Sequence, residues 1–85
     1  MTQKLFSILD SKGKMFNRPF TAITHGDAER TFQSTVNHSD PQNLIHQYPE
    51  DFDLYYVGDF DPTTGKIVTP DSPQHMIKAI AVKKS

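Results

Sequence analysis

The chain has 85 residues, of which 35% are hydrophobic and 11% aromatic, and its net charge is −1. A chain of this length forms one domain, here over residues 1–85, and buries only about 60% of the surface that its unfolded form exposes. It contains no cysteine, which excludes disulfide bonds and cysteine-ligated zinc as sources of extra stability. We therefore expect a homo-oligomer, most simply a dimer, in which a partner subunit adds buried area.

The sequence contains no targeting or membrane-spanning pattern. No apolar run approaches the roughly 20 residues that cross a bilayer, and the first apolar run ends at Asp10, too early for a signal peptide. We expect a soluble protein without membrane contact that works in the compartment where it is made. The absence of cysteine fits a reducing cytosol.

Charge is unevenly distributed along the chain. Residues 1–34 carry a net charge of +2, residues 35–63 carry −6 without a single lysine or arginine, and residues 64–85 carry +3. Two basic ends therefore flank an acidic middle. Such a distribution favours a phosphate-bearing partner at the ends or a basic partner at the middle, although scattered solvated charge is an equally simple interpretation.

The first half of the chain predicts two strands and a helix. Residues 4–10 read as a strand with apolar residues on both faces, which is typical of a central position, and residues 16–24 read as an edge strand interrupted by Pro19. Thr24 is a predicted N-cap, with Asp27 three residues later, for a helix that ends near Asn37. The apolar positions of this helix recur every four residues and predict one buried stripe: Ala28, Phe32 and Val36.

The middle of the chain predicts a β-hairpin over residues 53–69. Residues 42–49 precede it as a loop or a single helical turn that holds Leu44 and Ile45 against the core. Residues 53–60 alternate in the manner of a strand, and the turn residues of Asp61–Gly65 lead to a returning strand. The alternation predicts one face formed by Leu54, Tyr56 and Phe60, and another formed by Tyr55 and Val57.

The C-terminal segment, residues 70–85, leaves its structure open. Ser72 and Pro73 are typical of a helix start, and Met76, Ile77 and Ile80 have the spacing of a short helix. A strand, or a tail that contacts a partner, is an alternative. The whole chain predicts an α+β fold in which a small antiparallel sheet packs one main helix on one face.

Metal-binding patterns are incomplete in this sequence. Asp59, Asp61, Thr63 and Gly65 resemble the start of a calcium loop, but the sixth position is Thr64 instead of glycine, and the twelfth is Pro70 instead of glutamate. The four histidines lack the spacing that brings two imidazoles to one ion. We expect no metal and no cofactor.

Catalytic patterns are also missing. The chain has neither the Gly-x-Ser-x-Gly sequence of serine hydrolases nor a phosphate-binding glycine loop. A nucleophilic tyrosine such as Tyr55 or Tyr56 would need a metal-binding histidine pair beside it, and no His-x-His occurs. Adjacent strand tyrosines point to opposite faces, so one in the core and one at an interface is the ordinary interpretation. We expect a protein that is not an enzyme.

One basic and aromatic series suggests nucleic-acid binding. Residues 12–20 alternate basic side chains with Phe16 and Phe20. In an extended strand the basic groups would share one face and the two phenylalanines the other, so core phenylalanines beneath a solvated basic face are favoured over a stacking platform. A stripe that follows phosphates is the nucleic-acid-binding alternative, because it needs only the basic face. The candidate nucleic-acid-binding residues are Lys12, Lys14, Arg18, Lys83 and Lys84.

The order of these pieces resembles the small nonstructural protein of gokushoviruses, which are microviruses with circular single-stranded DNA. The resemblance rests on a strand ending in Asp10-Ser-Lys, the helix start Gly26-Asp-Ala-x-Arg-x-Phe, and the hairpin motifs Pro49-Glu-Asp-x-x-Leu-Tyr and Gly58-x-Phe-Asp-x-x-Thr-Gly. It covers residues 4 to about 68.

The resemblance implies a viral protein that binds single-stranded DNA or regulates viral genome synthesis and packaging in the cytoplasm of an infected bacterium. The alternative is a protein-interaction adaptor that contacts phage replication, capsid or host proteins without touching nucleic acid. The acidic middle of the chain suits a basic protein partner of that kind.

Overall fold

Two long antiparallel strands, β1 (Gln3–Asp10) and β4 (Phe52–Phe60), pair along their whole length at the centre of the sheet. The structure is a computed structural model that describes residues 2–84, so Met1 and Ser85, the ends of the predicted domain, lie outside the described residues. The central position predicted for the first strand is confirmed.

Short strands complete both sides of this central pair, and all pairings are antiparallel. Strands β2 (Met15–Phe16) and β3 (Phe20–Ala22) pair with β1, while β5 (Ile67–Val68) and β6 (Gln74–Lys78) pair with β4. Residues 2–84 thus form a six-stranded open sheet with helices beside it, and the predicted α+β class is confirmed.

Helix α1 (His25–Val36) packs on one face of the sheet, which we call the helix face. Thr24 caps it as predicted, because its Oγ1 accepts a hydrogen bond of 3.1 Å from the backbone N–H of Asp27. The predicted stripe of Ala28, Phe32 and Val36 is fully buried against Phe6, Ile8, Phe52 and Leu54 of the sheet. This core fixes the helix on the sheet, and no helix within residues 2–84 covers the opposite face.

The acidic middle contains one helical turn, α2 (Leu44–Gln47), and a 3₁₀ turn at Pro49–Asp51. Ile45 packs against the core as predicted, but Leu44 is 55% exposed, so the prediction that both are held there is wrong. Successive helical residues point about 100° apart, and a single turn can aim only one of these two side chains at the core.

The C-terminal segment forms β6 and then a helical turn, α3 (Ala79–Val82). The helix predicted from Met76 and Ile77 is wrong there, and the strand alternative is correct. Ile77 pairs with Leu54, so β6 satisfies backbone groups of β4 that would otherwise form an open edge. Among residues 2–84, every helix is too short or too polar to cross a bilayer.

A β-bulge interrupts the pairing of β1 with β4. Phe6 pairs with Tyr56 and Leu5 with Gly58, which leaves Val57 without a partner in β1. One extra residue in a strand moves every later side chain to the other face of the sheet. The alternation predicted from the sequence therefore ends at Tyr56.

Beyond the bulge the two faces are exchanged. Phe60 pairs with Gln3, on the face opposite α1, so the prediction that Phe60 shares a face with Leu54 and Tyr56 is wrong. Asp59 instead turns to the helix face, where its carboxylate meets the hydroxyl of Tyr56. The bulge thus places a carboxylate on the helix face, where the alternation predicted the ring of Phe60.

The predicted hairpin is confirmed, and two glycines fit it closely. Gly65 has a φ of +76° in the turn, a conformation that glycine adopts without strain. Gly58 lies under β5, where a Cβ atom would be 2.8 Å from the backbone oxygen of Val68. The turn is closed by the N–H of Asp61, which donates to the oxygen of Lys66 at 2.9 Å.

Candidate nucleic-acid interface

Lys12 and Lys14 lie in the tight turn that joins β1 to β2, and not in an extended strand. The carboxylate of Asp10 accepts hydrogen bonds of 3.0 Å from the backbone N–H groups of Lys12 and Gly13 and closes this turn. Lys14 has a φ of +55°, which lies in the left-handed region. The predicted strand-like alternation of basic and aromatic residues is therefore wrong at its start, although both lysines are exposed.

A one-residue slip at Pro19 separates the two phenylalanines of the series. Phe16 pairs with Leu9 and Phe20 pairs with Phe6. The chain therefore advances four residues along the edge while β1 advances three, so one edge residue is extra. Such a slip moves side chains to the other face. Phe20 packs on the helix face, while Phe16 lies on the opposite one, and the prediction that both share a face is wrong.

The remaining basic candidates lie in two different places. Arg18 is exposed in the break between β2 and β3, on the same sheet edge as the turn that carries Lys12 and Lys14. Lys83 and Lys84 follow α3 beside the end of α1, where the N–H of Lys84 donates to Oδ1 of Asn37 at 2.7 Å. The structure thus groups three basic residues at one sheet edge and two in the helix layer.

The face opposite α1, which we call the open sheet face, carries a row of three rings, one each from β2, β4 and β6. The Phe16 and Tyr55 rings meet edge to face with centroids 5.2 Å apart, and the Tyr55 and His75 rings do so at 5.3 Å. Phe16 is 40% exposed, and His75 is also exposed. Tyr55 lies half-buried between them, so aromatic surface from all three strands is gathered in one place.

The carboxylate on this face is held by basic side chains. Asp53 lies beside Tyr55 on β4, with only 14% of its side chain exposed. Its Oδ2 is 2.6 Å from Nε2 of His75 and 3.5 Å from Nζ of Lys78, both on the neighbouring strand β6. This pairing orients the His75 ring and offsets negative charge that would repel a phosphate backbone.

The helix face of the same strand carries a different polar group. The Tyr56 hydroxyl donates to Asp59 at 2.8 Å, and Nζ of Lys4 lies 3.8 Å from the same carboxylate. Burial, the hydrogen bond to Asp59 and the charge of that carboxylate raise the pKa of Tyr56 above its ordinary value. Tyr55 and Tyr56 therefore face opposite sides of the sheet, and the one on the helix face contacts the core.

Asp59 and Asp61, which stand in the sequence that resembles the start of a calcium loop, each contact different neighbouring groups. The backbone N–H of Thr63 donates to the Asp61 carboxylate at 2.9 Å, and this hydrogen bond lowers the pKa of that exposed carboxyl. Asp59 is turned toward Tyr56 and Lys4. Within residues 2–84, no group of three histidine or carboxylate side chains could hold a metal ion.

Sequence reasoning missed the ring row, although part of its signal was present. Alternation along β4 places Tyr55 opposite Tyr56, but the partners of Tyr55 come from strands that are distant in sequence. The face of Phe16 depends on the slip at Pro19, and His75 reaches the row only because its segment is a strand. Neither feature is encoded by local spacing.

Comparisons with known proteins define the class of this small α+β protein as viral. The model of the family described as "Phage ORF5 protein" matches residues 3–82. The chain is 36% identical over 70 residues to "Protein ORF5" of Chlamydia phage 1, an alignment that covers 79% of this chain and 72% of the relative. No solved structure matches the chain.

The chain belongs to the Phage ORF5 protein family. Because Chlamydia phage 1 is a gokushovirus, the resemblance to the small nonstructural protein of Microviridae is confirmed. The matched region includes all six strands and α1, so the ring row and the basic sheet edge both lie within the family's domain.

Proposed function

We propose that this protein binds single-stranded DNA on its open sheet face and so takes part in viral genome synthesis or packaging in the cytoplasm of the infected bacterium. The observation that carries the proposal is the row of Phe16, Tyr55 and His75 on the sheet face that none of the described helices covers. Aromatic side chains on an accessible surface stack on unpaired bases, which duplex DNA does not present.

The charge around the row supports a strand that crosses the sheet. Lys12, Lys14 and Arg18 are exposed along the edge beside Phe16, and Lys78 lies at the opposite edge beside His75. In this arrangement bases stack on the rings while phosphates meet basic groups at both edges. The net charge of −1 does not oppose this, because the carboxylate of Asp53 on this face is paired with basic groups.

The proposed activity is binding without catalysis. The polar groups beside the rings, Asp53, His75 and Lys78, are engaged with one another, and we assign them to positioning the His75 ring and to phosphate contact. The protein then needs no cofactor. Lys83 and Lys84 lie in the helix layer, and we place them outside the contact surface.

The experiment compares labelled oligothymidine with a duplex of equal length by fluorescence anisotropy. Phe16→Ala and Tyr55→Leu remove stacking surface while keeping small or apolar side chains, and each should weaken single-strand binding about fivefold or more, because one base stack contributes about 1 to 3 kcal/mol. Tyr48→Ala, which removes an exposed ring in the acidic middle, is the matched control and should have no effect.

Equal affinity for single-strand and duplex DNA would contradict the proposal. So would unchanged binding by both ring variants. Thermal melts of each variant establish that the fold is intact. Phe16→Ala should disturb the fold less than Tyr55→Leu, because the Phe16 ring is 40% exposed.

A further inference from the structure

Two large exposed side chains in the acidic middle border one cavity. Leu44 is 55% exposed and Tyr48 is 50% exposed, and both line a cavity of about 240 Å³. Phe52, which is only 5% exposed, also lines the cavity, together with Asp10, Lys12 and Asp51. Single exposed apolar residues need no explanation, but two beside one cavity form a potential contact surface.

Hydrogen bonds from side chains to the backbone fix α2, which carries Leu44, against the end of α1. The Asn43 amide donates to the carbonyl oxygen of Thr35 at 2.8 Å and to that of His38 at 3.0 Å. Nδ1 of His46 lies 3.0 Å from the carbonyl oxygen of Val36. These contacts tie α2 to the end of helix α1.

The other side of the cavity is tied to the sheet. Both the backbone N–H and the hydroxyl of Ser11 donate to the carbonyl oxygen of Asp51 at 2.9 Å. Leu44 and Tyr48 are therefore exposed on a fixed framework. A fixed surface loses little conformational entropy on binding.

The charge beside the cavity is mainly negative. Asp10 and Asp51 lie in its lining, and the exposed Glu50 is adjacent in sequence. Within residues 2–84, neither Glu50 nor Asp51 forms an ion pair. Residues 35–63 supply no lysine or arginine, so Lys12 is the basic group in the lining.

We propose that this cavity docks a segment of another protein in which one large apolar side chain is flanked by lysine or arginine. The volume lies below the roughly 300 to 1,000 Å³ of small-molecule sites and suits a single anchoring side chain. Tyrosine is enriched among residues that dominate binding energies, and the carboxylates attract the flanking cations. This surface contains none of the three rings of the row, and it shares only Lys12 with the basic sheet edge. The proposal does not depend on DNA binding.

The test selects ligands from a library of short random peptides displayed on yeast, with the intact protein as bait. Enriched peptides should contain an apolar anchor with lysine or arginine on both sides. By fluorescence anisotropy, the double variant Leu44→Ser/Tyr48→Ser should bind them about tenfold or more weakly. Ile23→Ser removes a 75% exposed side chain elsewhere and is the matched control, which should leave binding unchanged.

A second variant tests the charge requirement. Glu50→Gln/Asp51→Asn keeps the shapes of both side chains, and it should weaken binding several-fold and reduce its dependence on salt. If the serine variant does not fold, amide shift mapping on the intact protein replaces it, and the peptide should shift the signals of Leu44, Tyr48 and Phe52.

Several outcomes would overturn the proposal. They are a library without enrichment, enriched peptides that are acidic or lack an apolar anchor, equal binding by the serine variant, and amide shifts that map elsewhere. If the Leu44 and Tyr48 signals change with protein concentration in the absence of peptide, a second copy of this chain occupies the cavity, and the proposed partner is wrong. Loss of DNA binding in Phe16→Ala would leave peptide binding intact, so the two proposals fail separately.

Discussion

The hydroxyl of Tyr56 donates a hydrogen bond of 2.8 Å to the carboxylate of Asp59, three residues further along the same strand. In a regular strand, residues three apart lie on opposite faces. The contact exists because the bulge at Val57 turns Asp59 to the helix face. A single extra residue therefore places a carboxylate beside the half-buried ring of Tyr56 on the helix face.

The Tyr56 contact makes stability sensitive to alkaline pH. The pKa of Tyr56 is raised in the folded state above its unfolded value of about 10, first by burial and then by Asp59. Because the pKa of Tyr56 is higher in the folded state, the protonated hydroxyl stabilises the fold fully below about pH 10. This contribution to the free energy of unfolding is lost as pH rises through the folded pKa. Urea unfolding from pH 8 to 11 should show a smaller alkaline loss for Tyr56→Phe than for the parent. Tyr48→Phe, at an exposed tyrosine, should behave like the parent, and equal losses in all three proteins would contradict this account.

The helix stripe should dominate the stability of the domain. Phe32 has no exposed surface, and Phe32→Ala should lower the free energy of unfolding by about 3 to 5 kcal/mol, close to the total for so small a protein. Ser34→Ala, on the exposed side of the same helix, should change it by less than about 0.5 kcal/mol. A Phe32→Ala protein that melts within a degree or two of the parent would show that this ring is not a central core residue.

Gly58 should tolerate no side chain. A Cβ there would approach the backbone oxygen of Val68 to 2.8 Å, so Gly58→Ala must displace β5 and should destabilise by about 1 to 3 kcal/mol. Gly26→Ala is the matched control, because the nearest atom to its Cβ is 3.8 Å away and alanine favours the helix that Gly26 occupies. If both variants melt alike, the close approach of β5 is not present in solution.

Self-association remains a prediction, motivated by the small core and by apolar side chains at the sheet edge. Ile67 and Val68 on β5 are 57% and 70% exposed, and an edge strand of this kind can pair with a second copy. Sedimentation equilibrium at micromolar concentrations should give a mass above the 9.7 kDa of one chain. Val68→Lys should return it to that value, whereas a parent protein that is already monomeric would exclude the dimer.

Local sequence patterns predicted the elements whose causes are local. The helix follows from the Thr24 cap and the four-residue spacing of its stripe, and the hairpin follows from its turn residues and the alternation before them. The class of the fold could be derived from these two elements. Their faces could be assigned wherever pairing was regular.

The patterns failed where a distant strand decides the outcome. The bulge at Val57 and the slip at Pro19 arise from pairing with β1, and each reverses the face of residues that follow it. Met76 and Ile77 share a helix-like spacing with Ile80 but lie in a strand, because β4 offers their segment backbone partners. The ring row depends on the slip and on β6, so it could not be predicted from spacing alone.

The most direct test of the account is the salt dependence of oligothymidine binding by the intact protein and by Lys12→Gln/Lys14→Gln/Arg18→Gln. Each phosphate contact on a single strand contributes about 0.7 to the slope of log affinity against log salt, so loss of three should flatten the slope by about two. Lys83→Gln/Lys84→Gln, in the helix layer, should leave the slope unchanged. Binding that is insensitive to salt and to the triple substitution, or a slope that depends on Lys83 and Lys84 instead, would contradict a single strand lying across the open sheet face.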